Sequence, residues 1–205
     1  MKDLNFFRRM ALWGAPLVLA VWGAGCASGP RELPVLSSVG DFRLTAVTGE
    51  KTATLSAADM TGRVWIADFV WTRCKGPCFL MSGNMARLQR ALPSEVRLVS
   101  VSVDPERDDP KSLLAYSKHF VGQENRWFFL TGDKAKVYAL IENGFKLSAE
   151  ENTQAPLAER FVHSTKFVLV DAAGRIRGYY DGEEPGEMKK LLRDTRGLLA
   201  PAAAS

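Results

Sequence analysis

Apolar residues along the chain fall into two patterns, strand-length runs and helix-spaced stripes. Residues 63–70 (RVWIADFV) are mostly apolar over the length of one strand, as expected for a strand covered on both faces. Soon after, Met81, Met85, Leu88 and Leu92 recur at spacings of four, three and four, which predicts one buried helix face ended by Pro93. Residues 96–103 (VRLVSVSV) predict the next strand. A helix is expected over 111–121 and a strand over 127–130, and Thr131-Gly132-Asp133 caps a helix that ends near Gly144. Residues 148–159 are polar and read as a loop. A strand lies within 161–170, a turn at 171–174 and a second strand at 176–180; Pro185 then opens a last helix with Met188, Leu191 and Leu192 on one side. Near the start, residues 42–47 and 52–55 flank the turn signal Thr48-Gly49-Glu50 and predict a hairpin.

This order predicts an α/β sheet with helices on both faces and an antiparallel hairpin at its end. It is the element order of a thioredoxin-like fold with an N-terminal β-hairpin extension and an inserted helix. We expect the domain over 41–198, preceded by a Pro/Gly/Ser-rich tether over 26–40 and followed by an unstructured tail over 199–205.

The first 25 residues read as an export segment. Arg8 and Arg9 form a positive start, and residues 10–24 are apolar but interrupted by Gly14 and Pro16. The stretch is short for a membrane span, which needs about 20 apolar residues. Ala24-Gly25-Cys26 looks like the end of a bacterial lipobox, so Cys26 is expected to carry lipid and anchor an extracytoplasmic or periplasmic domain. Gly23 departs from the Leu usual in that pattern, and simple cleavage or an uncleaved anchor are the rival readings. The formal charge is +4, of which +2 sits in residues 1–25, with Lys2, Arg8 and Arg9 set against Asp3. The rest carries interspersed charge and no basic run, which argues against nucleic-acid binding. A monomer is expected.

Export decides the cysteine arithmetic. The chain has three Cys, and Cys26 belongs to the export segment. Cys74 and Cys78 remain, too few and too close for a disulfide scaffold. They lie where a buried strand ends and an amphipathic helix begins. A helix N-terminus stabilises thiolate, so at least one thiol is expected to have a lowered pKa. With Lys75-Gly76-Pro77 between them, the two sulfurs can share a metal ion or close a disulfide, and spacing alone does not choose.

A metal needs a further ligand. Of the two His, His119 falls in a polar helix and reads as a surface residue. His163 opens a predicted strand, and in a thioredoxin-like layout the loop before that strand faces the Cys loop. Two thiolates and one imidazole suit copper and also accommodate Zn²⁺, although three protein ligands are too few for a closed structural zinc site. Met81 is a conceivable soft fourth ligand, but its place in the apolar stripe favours core packing.

With these residues in view, the chain resembles the Sco/SenC family. The segments that carry the likeness are Asp41-Phe42-Arg43-Leu44, Asp68-Phe69-Val70-Trp71-Thr72-Arg73-Cys74 with Cys78, Val101-Ser102-Val103-Asp104-Pro105-Glu106-Arg107-Asp108, Leu130-Thr131-Gly132, and His163-Ser164-Thr165 followed by Val168-Leu169-Val170-Asp171. The resemblance implies a thioredoxin fold that binds one copper, Cu(I) or Cu(II), through Cys74, Cys78 and His163. It implies delivery of copper to the copper-site subunit of cytochrome c oxidase, reduction of that site's thiols, or service to another copper or thiol protein. Residues 104–108 receive no ligand role and read as a solvated turn and helix cap. Two departures stand out: Phe79 follows the second Cys where the family has Pro, and Arg160, Phe161 and Val162 precede His163 where many members have an acid.

A carrier is thus expected rather than a turnover enzyme. The alternative is a thiol-disulfide oxidoreductase using Cys74 and Cys78 without obligatory metal. A peroxidase would need a peroxidatic-Cys loop motif of its own, which the sequence lacks.

Overall fold

The computed structural model describes residues 32–74, 76–120, 126–156 and 160–200, with the side chains of Val162 and His163 outside that description. The expected export segment, Cys26 and residues 201–205 also lie outside it.

Among the described residues, ten strands and five α-helices follow one another. They are β1 (Ser37–Ser38), β2 (Arg43–Thr48), β3 (Lys51–Ser56), α1 (Ala57–Met60), β4 (Trp65–Val70), α2 (Pro77–Ala91), β5 (Arg97–Ser102), α3 (Pro110–Ser117), β6 (Trp127–Thr131), α4 (Lys134–Ala139), β7 (Ala149–Glu151), β8 (Phe161–His163), β9 (Lys166–Val170), β10 (Arg175–Asp181) and α5 (Pro185–Leu199). Eight strands form one sheet in the order β1-β10-β9-β4-β5-β6-β2-β3, while β7 and β8 pair in a separate two-stranded sheet. Strands β4, β5 and β6 are parallel, and β9 runs antiparallel to β4. This is the expected thioredoxin-like arrangement. The N-terminal hairpin extends the sheet through β2, which pairs with β6, and the inserted helix α3 arrives together with strand β6.

Alternation along β4 explains the two cores. Trp65, Ala67 and Phe69 face one cluster, completed by Val137 of α4 and by Leu140 and Phe145 after it. Ile66 and Val70 face the other, where Met81, Met85 and Leu88 of α2, Leu113 of α3 and Leu191 of α5 close over the sheet. Met81, Met85 and Leu88 are buried as their spacing predicts, each contributing roughly 1.5–3 kcal/mol of apolar transfer. Asp68 shares the face of Ile66 and Val70 by strand periodicity, so the second core contains a carboxyl group.

Three expectations need correction. The chain from Leu33 onward is not tether: Leu36 N–H donates to the Ile176 carbonyl at 2.9 Å, β1 pairs with β10, and Val39 is buried. The expected loop over 148–159 contains β7. The strand expected within 161–170 is β9, but it opens at Lys166 and not at His163, which instead ends β8 in a different sheet. The helix that α4 opens ends at Gly144 as expected, continued beyond Ala139 by a π-helix over Leu140–Gly144. No helix among the described residues is long and apolar enough to cross a membrane.

Candidate functional site

Strand β4 delivers the chain to the site. Beyond Val70, Trp71 is buried and the Cys74 N–H donates to its carbonyl at 3.1 Å, closing a tight turn. Gly76 and Pro77 then start α2, which places Cys78 in its first turn, where backbone N–H groups lack helical acceptors. Cys78 is buried and Cys74 half-buried. The structure brings the two together, both as thiols, with their side chains hydrogen-bonded to each other.

That pairing changes the expected electrostatics. The Cys78 thiol is pushed up from its ordinary value, first by the hydrogen bond to Cys74, then by burial and by the charge of Cys74. The backbone at Trp71 acts the other way and loses. The expected lowering at the helix N-terminus therefore does not apply to Cys78, because its proton is shared with a neighbouring sulfur in a dry place.

Asp68 is a second buried acid nearby. Its Oδ1 accepts from the Ser100 hydroxyl at 2.5 Å, and Ser100 accepts from the Trp127 indole N–H at 2.8 Å. Its Oδ2 has no hydrogen-bond partner among the described residues. Burial outweighs the Ser100 bond and raises Asp68 to about 7. Tyr116 approaches the Cys78 carbonyl at 3.4 Å and shares a 2.8 Å hydrogen bond with Ser82, so polar groups also underlie the first turns of α2.

The segment 104–108 is not the solvated turn expected. Asp104 and Asp108 are buried. Asp108 accepts from the Thr72 N–H at 3.2 Å, the Thr72 hydroxyl at 2.5 Å and the Ser102 hydroxyl at 2.7 Å. It thereby fixes the backbone two residues before Cys74. Only Asp109 acts as the expected cap, accepting from the Ser112 N–H at 2.7 Å. The signal that marks Asp108 is its pairing in space with Thr72 and Ser102, which sequence distance hides.

His163 ends β8, opposite Ala149 of β7. Its strand reaches the Cys loop through Phe161, whose ring meets Trp71 edge-on at 5.1 Å. Trp71, Cys78 and Phe161 share one apolar cluster, with Cys74 packed against it. His119 is exposed beside Phe120 at the end of α3, as expected, and Met81 packs in the opposite core against Gly182 and Phe167. Phe79 is exposed next to the site, its ring against Phe120 at 4.8 Å.

Comparison with known proteins bears on this arrangement. The SCO1/SenC family model matches residues 32–200. A SCO1 protein homolog of Bacillus subtilis (strain 168) is 30% identical over 178 residues, covering 83% of this chain and 89% of that protein. Among solved structures, a SCO1/SenC family lipoprotein from Bacillus anthracis str. Ames superposes with a TM-score of 0.72 at 28% identity, covering 83% of this chain and 99% of its own. BsSco, described as a member of the Sco family of cytochrome c oxidase assembly proteins with a disulfide switch, gives 0.67 at 28% identity, covering 80% and 95%. Copper-bound ScoI of Bradyrhizobium japonicum gives 0.66 at 20% identity, covering 80% and 99%, a likeness of fold alone. From Glu32 to Ala200 the chain belongs to the SCO1/SenC family.

Proposed function

We propose that this chain is a copper carrier that holds one copper ion through Cys74, Cys78 and His163 and serves cytochrome c oxidase, by delivering copper to its copper-site subunit or by reducing that site's thiols. The observation that carries the reading is the pairing of two thiols at the start of α2, beside the strand that ends at His163. The donor set fits copper. Two sulfurs and an imidazole are soft to borderline ligands, and a soft cation takes the place of the two thiol protons. Bound there, copper supplies affinity and redox chemistry; the chain's own residues orient the donors and keep them dry. BsSco, at 28% identity and described as a cytochrome c oxidase assembly protein, supports the same assignment. Lipid on Cys26, proposed from the export pattern, would hold the domain at the extracytoplasmic face.

A second reading has its own observation. Thiols already in hydrogen-bond contact can close a disulfide, passing two electrons and two protons to a partner disulfide, and BsSco is described as having a disulfide switch. His163 separates the readings, since copper binding needs it and thiol exchange does not.

The test is metal analysis and spectroscopy of the purified chain, wild type against Cys74→Ser, Cys78→Ser and His163→Ala. We expect about one copper per chain, the number expected of a single three-ligand site, and a Cu(II)–thiolate absorption band that all three variants lose. Unchanged Cu(II) affinity in His163→Ala would overturn the copper assignment and leave the thiol reading.

A further inference from the structure

The hairpin β7–β8 stands apart from the main sheet. Two strands of three residues each are marginal on their own and need support from elsewhere. Part of that support is apolar, from buried Ala149 and Phe161. The rest is ionic and converges on Glu151, which pairs in register with Phe161, two residues from His163. Lys134, the first residue of α4, reaches Glu151 Oε2 at 2.7 Å and Glu106 Oε2 at 3.0 Å. Arg107 lies 3.8 Å from Glu151 Oε1 and 3.0 Å from Oδ1 of buried Asp104. The Asn152 N–H closes the hairpin on the Arg160 carbonyl at 2.7 Å.

The same short segment therefore touches both halves of the site. Asp108 holds Thr72 ahead of Cys74, while Arg107, held by Asp104, reaches the hairpin that ends at His163, and Glu106 binds the Lys134 that grips it. Glu151 keeps only 14% of its side-chain exposure and Asp104 1%, so screening by salt is weaker than at an open surface. A five-member network of this kind is the case in which ion pairs fix geometry, unlike a lone exposed pair.

We propose that Lys134 and Arg107 grip Glu151 as an ionic clasp that positions the His163 strand against the Cys74–Cys78 loop, making these three residues positioning residues for the copper site. The proposal rests on the copper assignment above. Mutual attraction agrees with it: hydrogen bonding to Lys134 holds the Glu151 carboxyl below its ordinary range, and Glu151 and Glu106 push the Lys134 ammonium up.

The test uses the purified chain and the variants Glu151→Gln, Lys134→Gln and Lys134→Arg, with Lys190→Gln as a control in the separate Lys190–Glu187 pair. Amide hydrogen exchange at 149–151 and 161–163 is read without metal, and Cu(II) affinity is read by competition with a chelator. Glu151→Gln and Lys134→Gln should speed hairpin exchange and weaken Cu(II) binding by about tenfold or more, the scale of an outer-shell change. Lys134→Arg should restore both, and Lys190→Gln should change neither. Unchanged exchange in Glu151→Gln overturns the clasp, as does faster exchange with wild-type copper affinity. A wild-type chain that binds no copper overturns the copper assignment instead, a result distinct from either.

Discussion

Asp68 places a carboxyl group where the neighbouring strand positions carry hydrocarbon. Its hydrogen bonds, from Ser100 and from its own backbone, do not offset the loss of water, and the acid holds its proton to about pH 7 against an ordinary value of 3.8. Below pH 4 native and unfolded chains are both protonated there. As pH rises towards 7 the unfolded chain gives up this proton while the native chain keeps it, so the unfolded state gains. The contribution of Asp68 is thus fully present below about pH 4 and is lost as pH rises through 7. A shift of this size corresponds to roughly 4 kcal/mol as an upper figure. Asp68→Asn keeps an acceptor for Ser100 and cannot ionise. It should stabilise the protein by a few kcal/mol at pH 8 and leave it about unchanged at pH 4. Urea unfolding across that range checks this, and an unaltered pH slope in the variant would mean that Asp68 titrates as an ordinary acid.

At the scale of elements, the sequence makes the helix after the cysteines easy to read and the parts facing it hard. Met81, Met85 and Leu88 announce a buried face because helix burial repeats with helix geometry. Strand β7, Ala149-Glu150-Glu151, carries no such repeat: it is held by the register with β8 and by ion pairs from α4 and the 104–107 segment, which no local window contains. The run DPERDDP looks solvated for the same reason, since Asp108 is buried only through Thr72 and Ser102. The loop between β4 and α2 therefore depends on a residue over thirty positions away. Asp108→Ala leaves the two Thr72 donors and the Ser102 hydroxyl without their acceptor. It should cost about 3 kcal/mol, given 1–3 kcal/mol for each buried group left unsatisfied and some relaxation. Loosening of the loop should also speed alkylation of Cys74. Denaturant unfolding and the alkylation rate check the two effects, and a variant with wild-type values in both would show that the loop holds itself.

For the whole molecule, the order of strands and helices was readable, and so were the two thiols. The edge of the sheet was not. Residues 33–39 (LPVLSSV) mix Pro and Ser with apolar residues, and Val35 and Leu36 keep half of their surface, so burial leaves no strong pattern there. What fixes this segment is backbone. Leu36 N–H bonds to Ile176 and Val39 N–H to the Gly174 carbonyl at 3.0 Å. Arg177, 6% exposed, donates to the Leu33 carbonyl and to the Pro34 carbonyl at 3.1 Å while pairing with Asp171 at 2.8 Å. One guanidinium thus joins the first docked residues to the β9–β10 turn. Asp171 would survive its loss, because Arg175 and two backbone N–H groups also bind it. The two carbonyls would lose the guanidinium donor that now holds them. Arg177→Met should accordingly lower stability by about 3 kcal/mol, the low end for breaking a buried ion pair. It should also expose the segment near Leu33 to proteases well before the domain unfolds, since local opening there needs only the edge strand to leave. Limited proteolysis under native conditions, read beside urea unfolding, separates the two effects. Cleavage no faster than in wild type would mean that β1 is held by its pairing with β10 alone.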